Sequence, residues 1–256
     1  MKLKHVVALL GLTACVPAFA VDFVANSGAQ SVIGTGPASE ATLQSIVNGL
    51  FGAGINVNTG QSSAGMFASA TPSAASSIPT MIAEWTANSA NQRFGMWFGT
   101  DTTNVVTYDL MLGGATALTT AAISFVGNTL KVGSSDIDDC GVKVNCGKFE
   151  HALVNPYSFG FYFRPLGAPD NNPTYYSLDQ LNTGDRTDRV IAFQQGASTN
   201  WLLAYEDGGR YADWDYNDMV VKVESITTPI PEPETYALML AGLGAVGYMS
   251  RRRKKA

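Results

Sequence analysis

The chain has few charged side chains for its length, and what it lacks excludes several classes of function. Asp, Glu, Lys and Arg make up 14% of its 256 residues, and there are two histidines. Cytosolic enzymes and helical bundles usually carry more charge. His5 lies in a basic N-terminal segment, so His151 is the one histidine left for a Ser-His-Asp site, and no Gly-x-Ser-x-Gly elbow is present.

Other catalytic motifs are also missing from the sequence. There is no His-Glu-x-x-His pair for a metalloprotease and no glycine-rich phosphate loop. Paired carboxylates can hydrolyse glycosides, but the densest acidic group here has too little spread to assign an acid and a base. We therefore predict a protein without catalytic residues, and we keep a glycoside-active enzyme as the third alternative.

Cysteine is scarce, with three residues in the chain. Cys140 and Cys146 enclose a short loop, and in an oxidising compartment this spacing predicts a disulfide. A zinc site would need two more soft ligands, and His151 alone cannot supply them. The sequence therefore favours a disulfide over a metal site at these cysteines.

Basic residues are few outside the two ends of the chain. Between Val21 and Ile230 there are 9 Lys and Arg against 19 Asp and Glu, a net charge of −10. Such a surface repels nucleic acid and anionic lipid, and it is compatible with divalent cations. We therefore predict no nucleic-acid partner.

The first twenty residues have the three parts of a secretory signal. A basic start, Met1 to His5, precedes the apolar run Val6 to Ala14, and Ala18-Phe19-Ala20 is a small-x-small cleavage site. This pattern predicts a signal peptide at 1–20 that is cut by signal peptidase before Val21. An alternative is lipidation, because Leu12-Thr13-Ala14-Cys15 resembles a lipobox.

The last segment, 229–256, also has three parts. Pro231-Glu232-Pro233 precedes an apolar run from Tyr236 to Met249, and a basic cluster ends the chain. The cluster is Arg251, Arg252, Arg253, Lys254 and Lys255. The run is short for a full membrane span, and the cluster would stay cytoplasmic. We predict a transmembrane helix that anchors the chain transiently through residues 235–250; a plain tail anchor is the alternative.

This tail resembles the PEP-CTERM sorting signal of Gram-negative bacteria that make exopolysaccharide. The resemblance rests on the order Pro231-Glu232-Pro233, apolar run, then Arg251, Arg252 and Arg253. It implies recognition by an exosortase, which removes the helix near the Pro-Glu-Pro. It also implies export across the inner membrane to the cell envelope, the outer surface or the extracellular matrix.

Between the two signals the sequence predicts a short helix followed by many strands. Ser39 can cap a helix whose apolar positions are Leu43, Ile46, Val47 and Leu50, and Gly52 and Gly54 end it. Residues 59–80 are rich in small residues and predict a loop with too little bulk to pack. The N-terminal segment thus spans 21–80.

Short runs of aromatic and β-branched residues fill the rest of the chain, 81–228. They are Phe94–Phe98, Val105–Leu112, Ala121–Val126, Phe149–Val154, Phe159–Phe163, Val190–Phe193, Trp201–Tyr205 and Met219–Val223. Clusters of Gly, Asn, Asp and Pro separate them. Many short strands without intervening helices predict an all-β domain, a β-sandwich or jelly roll.

Oxygen-bearing side chains gather just before the last of these runs. They are Glu206, Asp207, Asp213, Asp215, Asn217 and Asp218. In an extended chain Asp213, Asp215 and Asn217 would face one side. Calcium prefers six to eight such ligands, so these residues predict a calcium site. The alternative is a tight turn in which the acids bond backbone amides without a metal. The spacing does not fit an EF-hand.

The acidic stretch resembles a domain family of uncharacterised function marked by an Asp-x-Asp-Tyr-Asn-Asp signature. Here the signature is Asp213-Trp214-Asp215-Tyr216-Asn217-Asp218, and the resemblance covers 148–226. The family is common in secreted bacterial proteins, and it has no established catalysis. The resemblance therefore implies a β fold and a surface location. Two further acidic groups, Asp136 with Asp138 and Asp139, and Asp185 with Asp188, are interpreted as solvated turns.

Three functions follow, in this order. The first is a non-catalytic surface or matrix protein, found in biofilm and associated with exopolysaccharide. The second is a calcium-dependent carbohydrate-binding or adhesion module, in which Trp97, Trp201, Trp214 and Tyr216 would stack on sugars or else form core. The third is the glycoside-active enzyme.

Overall fold

The computed structural model describes most of the chain between the two predicted signals. The described residues are 26, 29–33, 40–70, 76–77, 80–84, 92–99, 102–112, 120–126, 128–134, 149–151, 154–155, 158–165, 173–183, 188–207, 213–229 and 243. The predicted signal peptide, Cys140, Cys146, the sorting residues from Pro231 onward and the predicted helix 235–250 lie outside them. Among the described residues, no helix has the length and hydropathy needed to cross a membrane.

One helix and fourteen strands make up the regular structure. The elements are α1 (Leu43–Phe51), β1 (Ala68–Ser69), β2 (Ser76–Ser77), β3 (Thr80–Glu84), β4 (Arg93–Gly99), β5 (Val105–Leu112), β6 (Ala121–Val126), β7 (Thr129–Ser134), β8 (Phe149–His151), β9 (Gly160–Arg164), β10 (Tyr175–Tyr176), β11 (Val190–Gln194), β12 (Trp201–Tyr205), β13 (Met219–Val223) and β14 (Ile226–Thr227). A 3-10 turn spans Asp179–Leu181. The prediction of a mostly β protein is confirmed.

The strands form three four-stranded sheets and one strand pair, and every pairing is antiparallel. Sheet I has the order β10-β9-β4-β5, sheet II the order β11-β12-β13-β3, and sheet III the order β2-β6-β7-β8. The remaining pair joins β1 to β14. All eight predicted strand runs contain a strand, because their aromatic and β-branched residues fit a pleated, half-buried surface.

The main core lies where sheets I and II face each other. Alternate residues of β4 (Phe94, Met96 and Phe98) and of β12 (Trp201, Leu203 and Tyr205) belong to it. Strands β6 and β7 of sheet III add Ile123, Phe125, Leu130 and Val132. Because side chains alternate between the faces of a strand, these residues bury one face of each sheet.

A second core covers the opposite face of sheet II. Leu202, Ala204 and Val220 pack there against Leu43 and Val47 of α1. Both faces of β12 are therefore buried, which explains its uninterrupted apolar sequence, Trp-Leu-Leu-Ala-Tyr. Sheet II thus forms a rigid support for the loop that joins β12 to β13.

The helix matches its predicted span, but its cap differs from the prediction. Thr42, not Ser39, is the N-cap residue, and its side chain accepts a hydrogen bond from Ser45 N. Ser39 lies outside the described residues. Gly52 ends the helix with a φ of 84°, a left-handed conformation that glycine adopts without strain.

The prediction that 59–80 is a loop without packing is wrong in part. Phe67 is fully buried in the main core, and Ala68 and Ser69 pair with β14 as β1. The small residues around Phe67 hid this segment, because strand pairing over more than 150 residues leaves no local pattern. Strand β7 was also missed, although Leu130 and Val132 alternate with polar residues after an Asn128 turn.

A candidate metal centre

The predicted acidic residues occupy the connection between β12 and β13. Tyr205, the last residue of β12, pairs with Met219, the first residue of β13. Glu206 and Asp207 leave β12 at the point where Asp218 enters β13. The hairpin geometry therefore brings together residues that are more than ten positions apart in the sequence. We call residues 206–218 the acidic loop.

Five carboxylates of the acidic loop converge in two groups of three. Glu206, Asp213 and Asp215 each offer one oxygen, and these oxygens lie within 4.8 Å of one another. Glu206, Asp207 and Asp218 form a second group by the same measure. Glu206 belongs to both groups. The structure thus brings together all five acids that the sequence proposed as metal ligands.

The backbone of the acidic loop is not the extended chain that the alternating sequence predicts. Trp214 and Tyr216 have φ angles of 62° and 55°, in the left-handed region. Bulky residues rarely adopt this conformation, which costs about 1–2 kcal/mol per residue. Asp213 is exposed, whereas Asp215 and Asn217 are buried. The prediction of one face carrying Asp213, Asp215 and Asn217 is therefore wrong.

Aromatic anchors hold the loop in this strained shape. Tyr216 is fully buried in the core beside α1, and its hydroxyl donates to the Asp188 carbonyl at 2.8 Å. The Trp214 ring lies 4.5 Å from the Arg189 guanidinium carbon. Strain of this kind persists where surrounding contacts over-determine the backbone, and it is frequent at functional sites.

Backbone amides satisfy only some of the carboxylate oxygens. Asp207 N donates to Asp218 Oδ2 at 2.6 Å, and Asn217 N donates to Asp215 Oδ1 at 3.2 Å. Tyr216 N donates to Glu206 Oε2 at 3.5 Å, which is a weak bond. These contacts agree with a hydrogen-bonded turn, but they do not account for the remaining oxygens.

Two buried oxygens have no hydrogen-bond partner in the structure. They are Asp215 Oδ2 and Asn217 Oδ1, and their residues are 2% and 1% exposed. The Asn217 amide is oriented by its nitrogen, which donates to the Ala41 carbonyl at 3.2 Å. A buried oxygen without a partner costs about 1–3 kcal/mol, so a turn that served only itself would avoid this arrangement.

Burial and mutual repulsion raise the pKa of the loop carboxyls. Burial, followed by the charges of Glu206 and Asp207, raises the pKa of Asp218 to about 9. Burial and the Asp213 charge raise the pKa of Glu206 to about 7. Burial is also the main cause that raises the pKa of Asp215 to about 6. The folded loop therefore resists ionisation unless a cation neutralises it.

Two residues outside the acidic loop face the site, and sequence analysis missed both. The Arg189 guanidinium stacks between Trp214 and Tyr175, 5.0 Å from the latter ring, and its charge lowers the pKa of Asp207. Glu40 precedes α1, and its charge raises the pKa of Asp215. They come from distant positions, so only the tertiary structure identifies them.

The aromatic residues proposed for sugar stacking are mostly core. Trp97, Trp201 and Tyr216 are fully buried. Trp214 is half-buried against Arg189. The prediction that these rings form an exposed stacking surface is therefore wrong for three of the four.

Several other sequence predictions fall on residues that the structure does not describe. They are Cys140 and Cys146, the acidic group Asp136, Asp138 and Asp139, Asp185, and the sorting residues Pro231, Glu232, Pro233, Arg251, Arg252 and Arg253. Asp188 is described and half-buried.

Comparison with protein families identifies two segments. Residues 229–254 match the PEP-CTERM protein-sorting motif, and residues 155–226 match a domain of unknown function, DUF4114. The second match contains the whole acidic loop. No curated protein and no solved structure matches the chain. The sorting motif marks the chain as an exported protein of the Gram-negative cell envelope that an exosortase recognises.

Proposed function

We propose that this chain is a non-catalytic protein of the extracellular matrix that binds calcium at the acidic loop and associates with exopolysaccharide. The observation that carries the calcium part is the buried, unpartnered Asp215 Oδ2 within a group of converging carboxylates. Calcium prefers carboxylate and amide oxygens in flexible geometry, and the acidic loop supplies both kinds.

Electrostatics favour a cation over a ligand-free turn. Close carboxylates repel each other by about 1 kcal/mol per pair even in a water-like dielectric, and burial increases that cost. A divalent ion turns this repulsion into attraction. Calcium rather than zinc fits the site because its predicted ligands are all oxygen atoms, with no histidine or cysteine among them.

The calcium part predicts that ion binding stabilises the folded chain. At a hundredfold excess over the dissociation constant, calcium adds about 2.7 kcal/mol to the free energy of unfolding. For a domain of this size the melting temperature then rises by roughly 5–10 °C. Differential scanning calorimetry in millimolar calcium and in excess chelator measures the difference. A melting curve that does not move between the two conditions overturns the proposal.

The matched control is Glu224→Gln. Glu224 pairs with Lys222 at 2.5 Å, and its side chain is 44% exposed. This variant removes one carboxylate outside the acidic loop, so we expect the full calcium response. Magnesium provides a second control, because it demands near-ideal octahedral geometry and gives up its water reluctantly.

Association with exopolysaccharide is the less direct part of the proposal. Its support is the sorting motif, which resembles signals of bacteria that make exopolysaccharide, and the acidic chain, which would need a divalent bridge to an acidic glycan. Co-sedimentation with isolated exopolysaccharide, with and without chelator, tests this part. Binding that is unaffected by chelator would separate glycan association from the calcium site.

Calcium-dependent carbohydrate binding is a second candidate, favoured by the exposure of Asp213. The other member residues of its group, Glu206 and Asp215, are buried, so the site opens to solvent on the Asp213 side. An ion held there would keep a coordination position for sugar hydroxyls. A defined-glycan array in calcium tests this candidate, and turnover of a soluble polysaccharide would instead support the glycoside-active alternative.

A further inference from the structure

The acidic loop carries more negative charge than one divalent cation can neutralise. Five carboxylates contribute ligand atoms, and the one cation that faces them among the described residues is Arg189. One calcium ion would leave the group strongly negative in a buried setting. Two calcium ions supply four positive charges, and Arg189 supplies the fifth.

We propose that the acidic loop holds two divalent cations, bridged by the carboxylate of Glu206. This inference rests on the calcium binding proposed above and specifies its stoichiometry and geometry. One position is formed by Glu206 with Asp213 and Asp215, and the other by Glu206 with Asp207 and Asp218. A carboxylate has two oxygens, so one side chain can ligate both ions.

The spacing of the oxygens divides the ligands in this way. Calcium binds oxygen at about 2.3–2.6 Å, so two oxygens on one ion lie at most about 5 Å apart. The oxygens in each group of three satisfy this limit, at 4.8 Å or less. Glu206 is the member common to both groups. Its position at the end of β12, supported by sheet II, places it between the two pairs.

The first position has additional oxygens that lack partners. Asp215 Oδ2 and Asn217 Oδ1 are buried without hydrogen bonds, and both residues are more than nine-tenths buried. Because Asn217 Nδ2 is committed to the Ala41 carbonyl, the amide keeps its oxygen free for an ion. The Glu40 charge near Asp215 adds to the demand for positive charge.

The second position is preorganised by a backbone contact. Asp207 N donates to Asp218 Oδ2 at 2.6 Å, which holds these two carboxylates side by side. Their repulsion is visible in the raised pKa of each group, in which burial is the largest cause. Arg189 alone offsets this repulsion at Asp207.

Native mass spectrometry of the full-length chain with calcium tests the stoichiometry. We expect two ions on the wild-type protein and one ion on each of Asp213→Asn and Asp218→Asn. Glu206→Gln weakens both positions, and Glu224→Gln keeps two ions. Circular dichroism confirms that each variant is folded, and a variant that fails this check is replaced by Asp215→Asn or Asp207→Asn.

A single ion on the wild-type protein, lost in both Asp213→Asn and Asp218→Asn, overturns the two-ion proposal and leaves the calcium proposal standing. No bound ion under saturating calcium overturns both.

The bridge has its own readout. Two manganese ions that share a carboxylate lie about 3.5–4 Å apart and couple magnetically. Electron paramagnetic resonance of the full-length chain with two manganese ions should show a coupled spectrum that Glu206→Gln abolishes. Two isolated, uncoupled manganese signals would place the second ion elsewhere and overturn the bridging role of Glu206.

Discussion

Asp109 and Asp215 are both carboxylates that lie mostly out of water, and their surroundings differ. The Asp109 side chain is 15% exposed; it pairs with Arg93 at 2.5 Å and lies 3.8 Å from Arg164. The Tyr162 hydroxyl also donates to it. Asp215 is 2% exposed and lies among other acids, with one oxygen unpartnered.

The comparison shows that this fold can neutralise a buried acid from its own residues. At Asp109, strands β4 and β9 place two guanidinium groups and a phenol around one carboxylate. At the acidic loop, the same chain gathers five carboxylates beside one arginine. The first cluster is complete within the protein, whereas the second requires a partner from outside.

The largest expected effect breaks the complete cluster. Asp109→Ala leaves Arg93, Arg164 and the Tyr162 hydroxyl without their shared acceptor. We expect a loss of about 3 kcal/mol in the free energy of unfolding, because removing one partner leaves the others buried and unpaired. Urea unfolding measures this loss, which should be the same with calcium and with chelator. A loss that calcium restores would contradict the contrast.

Asp215→Asn should act in the opposite sense at the acidic loop. In calcium the variant loses most of the ion-linked stabilisation, about 2.7 kcal/mol at a hundredfold excess of calcium for the wild type. In chelator it should be as stable as the wild type or more stable by about 1 kcal/mol, because one repelling charge is removed. Urea unfolding in both conditions gives the two values. Equal destabilisation in both would mean that Asp215 is a structural residue only.

The pH dependence of stability gives a third, smaller contrast. In chelator, the raised pKa values of Asp215, Glu206 and Asp218, about 6, 7 and 9, mean that the folded state binds more protons than the unfolded state above about pH 4. The free energy of unfolding should therefore fall as the pH rises from 5 to 8, by roughly 1–2 kcal/mol. Saturating calcium should remove this slope. Thermal unfolding across the range measures it, and a flat profile in chelator contradicts the ionisation argument.

The smallest effects come from matched Tyr→Phe changes in the two clusters. Tyr162→Phe removes a donor to Asp109, and we expect a cost of about 1.5 kcal/mol, since the acceptor is charged. Tyr216→Phe removes the bond to the Asp188 carbonyl and should cost about 1 kcal/mol. Chemical unfolding of both variants tests the order, which a larger loss for Tyr216→Phe would reverse.

Sequence patterns predicted the strands better than the shape of the site. The eight predicted runs are dense in aromatic and β-branched residues, so burial on a sheet is written locally. Strand β3 pairs with β13 across more than 130 residues, and no local signal reveals such a pairing. The acids of the loop were recognisable because they lie close together in the sequence.

The details of the site could not be read in the same way. Left-handed angles at Trp214 and Tyr216 contradict the local preference of aromatic residues, and they follow from the burial of Tyr216 and the stacking of Trp214 on Arg189. Glu40 and Arg189 reach the loop only after the N-terminal segment and β11 have packed. Tertiary contacts therefore decide the geometry that local propensity opposes.

The pairing of β14 with β1 determines where mechanical load enters the domain. Strand β14 ends at Thr227, and the sorting motif begins at residue 229. Tension from the envelope attachment therefore reaches β14 first. There Ala70 N donates to the Ser225 carbonyl at 2.9 Å, and Trp201 Nε1 donates to the Ile226 carbonyl at 3.2 Å. A pulled chain would meet this short clamp before β13 and the acidic loop bear any force.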